Sequence, residues 1–137
     1  MSIVLDASVA LAWVYAGETT NAILQLFEEV KAAGAWIPAL WRWEIANVLQ
    51  TNVRRGRHDA NFRDAALANL AWFPIEVDVQ CEPEAWLGTL LLADRHGLTV
   101  YDAAYLEIAK RKKIALATLD RDLRQAAESE GIELLGV

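Results

Sequence analysis

Apolar and polar positions follow two rhythms along this chain. The short apolar runs "SIVLD" (2–6), "AWIP" (35–38), "IALATLD" (114–120) and "IELLGV" (132–137) have the length of strands, and "PIEVDV" (74–79) alternates like one. Between them apolar residues recur three and four apart, which predicts helices over 7–17, 18–34, 39–56, 59–73, 82–97, 98–113 and 121–131. Gly17 and Gly34 close the first two helices, Asp59 stands as an N-cap, and Pro83 falls in a first helical turn. Strands alternating with helices predict an α/β fold, a three-layer α/β/α arrangement around a parallel sheet of four to five strands. No repeat or linker interrupts residues 1–137, which reads as a single domain. Ligands of such sheets bind in the crevice outside the carboxyl ends of the strands.

Four acids break the pattern. Asp102 lies on the same helical face as Tyr105, Leu106 and Ala109. Glu44 sits three residues after Trp41, inside the apolar stripe Trp41, Ile45, Val48, Leu49, whereas Glu28, Glu29 and Glu130 read as solvated. Asp6 ends the first strand and Asp120 directly follows "IALATL", so both belong at the carboxyl edge. Capping the next helix is the plainer role for these two. A carboxylate on an apolar face costs free energy unless it is paired or bound. Two carboxylates ~4 Å apart repel by about 1 kcal/mol in water and by about 4 kcal/mol at an effective dielectric of 20. Such a cluster protonates, splays or recruits cations, and an all-oxygen donor set selects Mg²⁺ or Mn²⁺. Asn47 and Thr118 are placed to support the acids. Ser8 reads as a local cap beside Asp6, and Asp122 as a first-turn helix acid beside Asp120.

Composition narrows the class. The hydrophobic share of 55% exceeds the ordinary ~45–50%, which argues for a filled core and spare apolar surface for a partner. The one cysteine, Cys81, allows no internal disulfide and no cysteine metal knuckle, which fits a reducing cytoplasm. His58 and His96 fall in polar segments, and no zinc motif is present. The net charge of −6 opposes nucleic-acid affinity spread over the whole surface. It leaves two local basic stretches, "RRGRH" from Arg54 to His58 and "KRKK" from Lys110 to Lys113. Arg54, Arg55, Arg57, Lys110 and Lys112 are the candidates for contact with an RNA backbone, with solvated helix ends as the plainer role. Of the six tryptophans most are expected in the core or at an interface, with one of Trp41 and Trp43 exposed.

The segments "IVLDASVALAW", "ALWRWEIANVL", "LADRHGLTVYDAAYLEIAKRKKIALATLDRDLRQAA" and "GIELL" resemble the PIN-domain family, and within it the VapC toxins of bacterial toxin–antitoxin pairs. The markers are an Asp after the first strand, a Glu-x-x-Asn on the third helix, "YDAAYL" and "ATLD", in that order over nearly the whole chain. The resemblance implies a PIN-like parallel sheet between helices, Mg²⁺ or Mn²⁺ as cofactor, and endonucleolytic cleavage of RNA to leave a 5′-phosphate and a 3′-hydroxyl. Asp6, Glu44, Asp102 and Asp120 match the acidic positions to which the family assigns catalysis and metal binding. A cognate antitoxin protein and a homodimer are the partners it implies. Two rivals share some of these features. A receiver-like phosphoacceptor module needs a lysine after a late strand, where this chain has Asp120, Arg121 and Asp122. A silent PIN-like scaffold that binds RNA or protein usually lacks some of the acids, and all four are present here.

Overall fold

The computed structural model describes the whole chain, Met1–Val137. Five strands, β1 (Ile3–Leu5), β2 (Ala35–Ile37), β3 (Ile75–Val77), β4 (Ala115–Ala117) and β5 (Leu134–Leu135), form one parallel sheet in the order β3-β2-β1-β4-β5. Val4 of β1 faces Trp36 on one side and Leu116 on the other, so β1 is central. Every residue of β1 and β4 is buried, while the edge strands β3 and β5 stay partly open. Strands covered on both faces read as continuous apolar runs, which is why "IVL" and "ALA" carry no polar alternation.

The helices are α1 (Ala7–Val14), α2 (Asn21–Ala33), α3 (Leu40–Arg54), α4 (Ala60–Leu70), α5 (Cys81–Glu84), α6 (Gly88–His96), α7 (Val100–Lys112) and α8 (Arg121–Ser129). The chain steps from β1 out to β3, then returns to β4 on the other side of β1 and ends at β5. Right-handed crossovers therefore put α1 to α4 on one face and α5 to α8 on the other. The reversal between β1 and β4 makes a topological switch point, and the carboxyl ends of these two strands open a crevice there. Helix α7 packs on β1 and β4 beneath α6, and its residues Ala103 to Ala109 are all buried. The buried alanines at 103, 104 and 109 of α7, with Ala115 and Ala117 on β4, suit this close approach.

Several boundaries differ from the apolar periodicity. Helix α1 stops at Val14 and a 3₁₀ turn occupies Ala16–Glu18, so Gly17 lies in the turn and does not cap α1. Helix α2 begins at Asn21, because the Thr20 side chain accepts from the Ile23 N–H. The helix expected over 82–97 is two, broken between Glu84 and Gly88. Gly88 has the low helix propensity of glycine, and its N–H bonds to the Glu84 carboxylate at 3.3 Å. The last strand shrinks to Leu134–Leu135. Three tryptophans, Trp43, Trp72 and Trp86, are exposed, so the core and half-buried positions take only Trp13, Trp36 and Trp41. No helix is long and apolar enough to cross a membrane.

Candidate active site

Asp6 follows β1 and stands at the N-cap of α1, yet its carboxylate makes no capping bond to that helix. It points instead into the switch-point crevice, where Asp6 Oδ2 accepts from Ser8 Oγ at 2.6 Å and from Thr118 Oγ1 at 2.8 Å. Ser8 Oγ in turn accepts the Leu119 N–H at 3.0 Å, and Thr118 Oγ1 accepts the Asp120 N–H at 3.0 Å. Two of these bonds, Thr118 to Asp6 and Leu119 to Ser8, thus tie the end of β1 to the segment after β4, and the other two brace each side. Asp120 does cap α8: its Oδ1 accepts the Leu123 N–H at 2.8 Å, leaving Oδ2. Glu44 enters from the second turn of α3, and its Oε1 accepts from the hydroxyl of Tyr105, on α7, at 2.5 Å. Asp102 enters from the first turn of α7, where Thr99 Oγ1 accepts the Asp102 N–H at 3.1 Å.

The charges of these acids act on one another. Burial raises the Asp6 carboxyl above its ordinary value, its two hydroxyl donors pull it back, and Asp120 raises it again. Burial pushes Glu44 up to about 6, against the Tyr105 hydrogen bond and helped by the charges of Asp6 and Asp102. Asp102 is raised by burial first, then by Asp120 and Asp6. No Lys, Arg or His forms an ion pair with any of the four. Three other poorly exposed acids of the chain are neutralised, whereas Glu84 accepts only the Gly88 N–H. Arg111 binds both Asp78 and Glu107, Lys112 lies 3.7 Å from Asp78, and Arg95, His96 and Lys110 converge on Glu130. Most of the poorly exposed carboxylates without a cation are therefore at the switch point. No three of these side chains already converge into a closed metal cage. A hard cation that retains several waters needs only one or two direct carboxylates, so the donor set fits Mg²⁺ or Mn²⁺.

Residues 3–129 match the family described as PIN domain. The chain belongs to the PIN-domain family. Over 130 residues it is 32% identical to "Ribonuclease VapC3" of Pyrobaculum aerophilum, which covers 91% of this chain and 94% of that relative. The crystal structure of PAE2754 from the same organism superimposes with a TM-score of 0.71 at 25% identity, covering 98% of this chain and 83% of that one. The parallel sheet expected from the strand pattern, and the PIN-like three-layer fold that the resemblance implies, are the fold observed.

Within this PIN domain the crevice gathers Asp6, Glu44, Asp102 and Asp120, with Ser8 and Thr118 bonded to them. Ser8 joins two elements and is more than the local cap its position suggested. Asn47 is exposed and makes no side-chain hydrogen bond, and Asp122 is an exposed acid in the first turn of α8 whose charge reaches Asp102. The basic stretches lie apart from the acids. Arg54 is ten residues beyond Glu44 on α3, about 15 Å along the helix axis. Arg54 and Arg55 form no ion pair, while Arg57 covers the ring of Tyr15 at 4.6 Å. Lys110 and Lys112 are on the far turns of α7 from Asp102 and are engaged within the fold, Lys110 with Glu130 and Lys112 over Trp36 at 3.8 Å. Glu130, expected on a solvated face, is held by its three bases, with Lys110 foremost, and its carboxyl is lowered to about 2. The two histidines are half-buried in hydrogen bonds, His58 with Tyr15 at 2.8 Å and His96 with Glu130 at 2.7 Å. Tyr105 was legible only as an apolar-face residue. The signal that finds it is a phenol three residues after Asp102 on a buried face, where its hydroxyl needs a partner.

Proposed function

We propose that this chain is a VapC-type endoribonuclease, the toxin of a type II toxin–antitoxin pair, and that residues 1–137 act as one PIN domain. One observation carries the reading: four carboxylates share a crevice with no protein cation, while Asp78, Glu107 and Glu130 are each neutralised. A set of acids left in this state is destabilising unless a cation joins it. Asp6, Glu44, Asp102 and Asp120 are the residues that would hold Mg²⁺ or Mn²⁺. Such a cation lowers the pKa of water and offsets the charge that builds on the phosphoryl oxygens during hydrolysis.

The chain's own residues do the rest. Ser8 and Thr118 fix the rotamer of Asp6, and the N-terminus of α8 fixes Asp120, so neither has to reorganise as RNA binds. Asp102, half-buried with a raised carboxyl, accepts the proton of the attacking water. No histidine or cysteine takes part. Arg54 and Arg55, free on the surface, contact the RNA backbone away from the scissile bond, and the engaged Lys110 and Lys112 do not. A cognate antitoxin and a second copy of the chain are the protein partners, and the exposed Trp72, Trp86, Leu87 and Leu91 offer apolar area for them. The RNA substrate places its action in the cytoplasm. The test is calorimetry of Mn²⁺ and Mg²⁺ with the wild type, Asp6→Asn and Asp102→Asn, alongside RNA cleavage with and without chelator. Saturable binding and chelator-sensitive cleavage, both lost in the variants, are the expected outcome. Cleavage that survives chelation would overturn it.

A further inference from the structure

We infer that Tyr105 is a positioning residue of the acid crevice: its hydroxyl ties up one oxygen of Glu44, so that Glu44 offers a cation a single oxygen, Oε2. The inference rests on the reading of the crevice as a metal site and goes beyond it to how the site chooses its ion.

Tyr105 is completely buried, and the only side-chain partner of its hydroxyl is Glu44 Oε1, at 2.5 Å. This bond joins α7 to α3, two elements that meet across the crevice from opposite faces of the sheet. Glu44 has three rotatable bonds and the like charges of Asp6 and Asp102 pushing on it. Without the phenol it would turn outward toward water, since repulsion and rotamer entropy both favour that.

The same division of oxygens recurs on the neighbouring acids. Asp6 Oδ2 accepts from Ser8 and Thr118, leaving Oδ1 clear of them, and Asp120 Oδ1 accepts from the Leu123 N–H, leaving Oδ2. Three acids on three elements, held by a phenol, two hydroxyls and a main-chain N–H, thus each present one free oxygen. That arrangement suits a small octahedral ion that keeps several waters and takes one or two of these oxygens directly, each from a carboxylate bound through a single oxygen. It disfavours Ca²⁺, which takes six to eight oxygens and commonly uses carboxylates bidentately.

Calorimetry of Mn²⁺ and of Ca²⁺ with the wild type, Tyr105→Phe, Glu44→Gln and the double variant tests this, with circular dichroism to confirm that each is folded. The expected result is Mn²⁺ binding roughly tenfold weaker in Tyr105→Phe, with a narrower gap between Mn²⁺ and Ca²⁺. In the Glu44→Gln background the Phe substitution should change nothing further. Wild-type Mn²⁺ affinity in folded Tyr105→Phe, or an equal loss with and without Glu44, overturns the inference. If Tyr105→Phe does not fold, Glu44→Asp serves, because it keeps the charge and shortens the reach to the phenol. Unchanged Mn²⁺ affinity there is equally fatal. Failure of the wild type to bind Mn²⁺ removes the metal-site reading and this inference together. Binding that needs Glu44 but ignores Tyr105 removes this inference alone.

Discussion

Thr118 uses its hydroxyl twice, donating to Asp6 and accepting from the Asp120 N–H, and it is fully buried. Thr118→Val keeps the shape and removes both bonds. It is expected to cost about 1–3 kcal/mol in urea unfolding and to weaken Mn²⁺ binding by roughly 10–100-fold in calorimetry. A stability loss with unchanged Mn²⁺ affinity would show that Thr118 serves only the fold. The acids themselves were legible in the sequence because a carboxylate on an apolar face is an anomaly that one chain suffices to reveal, as Glu44 and Asp102 show. Their partners were less so. Thr118 and Asp6 are 112 positions apart, and Tyr105 and Glu44 are 61 apart. No periodicity links residues at that distance. Asn47 shows the converse: it shares a face with Glu44 on paper, yet its side chain lies in solvent without a hydrogen bond.

Among the elements, caps decided boundaries that apolar spacing left open. Thr99 starts α7 by accepting the Asp102 N–H, and so sets where Asp102 enters the crevice. Thr99→Ala is expected to cost about 1 kcal/mol, with the first turn of α7 exchanging its amide hydrogens faster than the rest of the helix; uniform exchange would count against that local role. The break between α5 and α6 was hidden because apolar spacing continues through it, while the local bond from the Gly88 N–H to Glu84 and the close approach a Cβ at Gly88 would make, 3.0 Å from Glu84 Oε2, leave no trace in that spacing. Gly34 was legible as a helix stop, and its φ of +78° shows why, since a Cβ there would also collide with the Pro74 carbonyl. The end of α3 carries its own prediction. Reversing Arg54 and Arg55 to Glu in an Asp6→Asn background should weaken single-stranded RNA binding and flatten its salt dependence by roughly 0.7 per contact removed. An unchanged slope in a fluorescence-anisotropy titration would exclude the end of α3 from the RNA path.

At the scale of the whole molecule, the strand order explains why the acids meet, since β1 and β4 flank the reversal of the sheet. Alternation of strands and helices in the sequence predicted a parallel sheet but not which strands adjoin, because the order depends on packing between distant segments. The meeting of acids also gives the molecule a pH signature. Glu44 is raised from 4.5 to about 6, and Asp6 and Asp102 are raised as well. Between those values the folded chain holds more protons than the unfolded one, so the metal-free protein loses stability as pH rises through about 6. Glu130 has the opposite sign: its carboxyl is lowered to about 2, so its contribution is intact above 4.5 and fades only as pH falls toward 2. The thermal midpoint of chelated protein is therefore expected to be higher at about pH 5 than at about pH 7.5, with saturating Mn²⁺ raising it most at the higher pH. A midpoint that climbs with pH in chelator would contradict the uncompensated cluster. The bonds from Asp6 to Thr118 and from Ser8 to Leu119 have one more consequence, for synthesis on the ribosome. Contacts of such sequence separation form late. Thr118, which supports the crevice, leaves the ribosome 112 positions after Asp6, and Asp120 follows it. A nascent chain that has exposed Asp6 and Glu44 but not yet Tyr105, Thr118 and Asp120 therefore carries those two acids without their partners, and its crevice is unassembled.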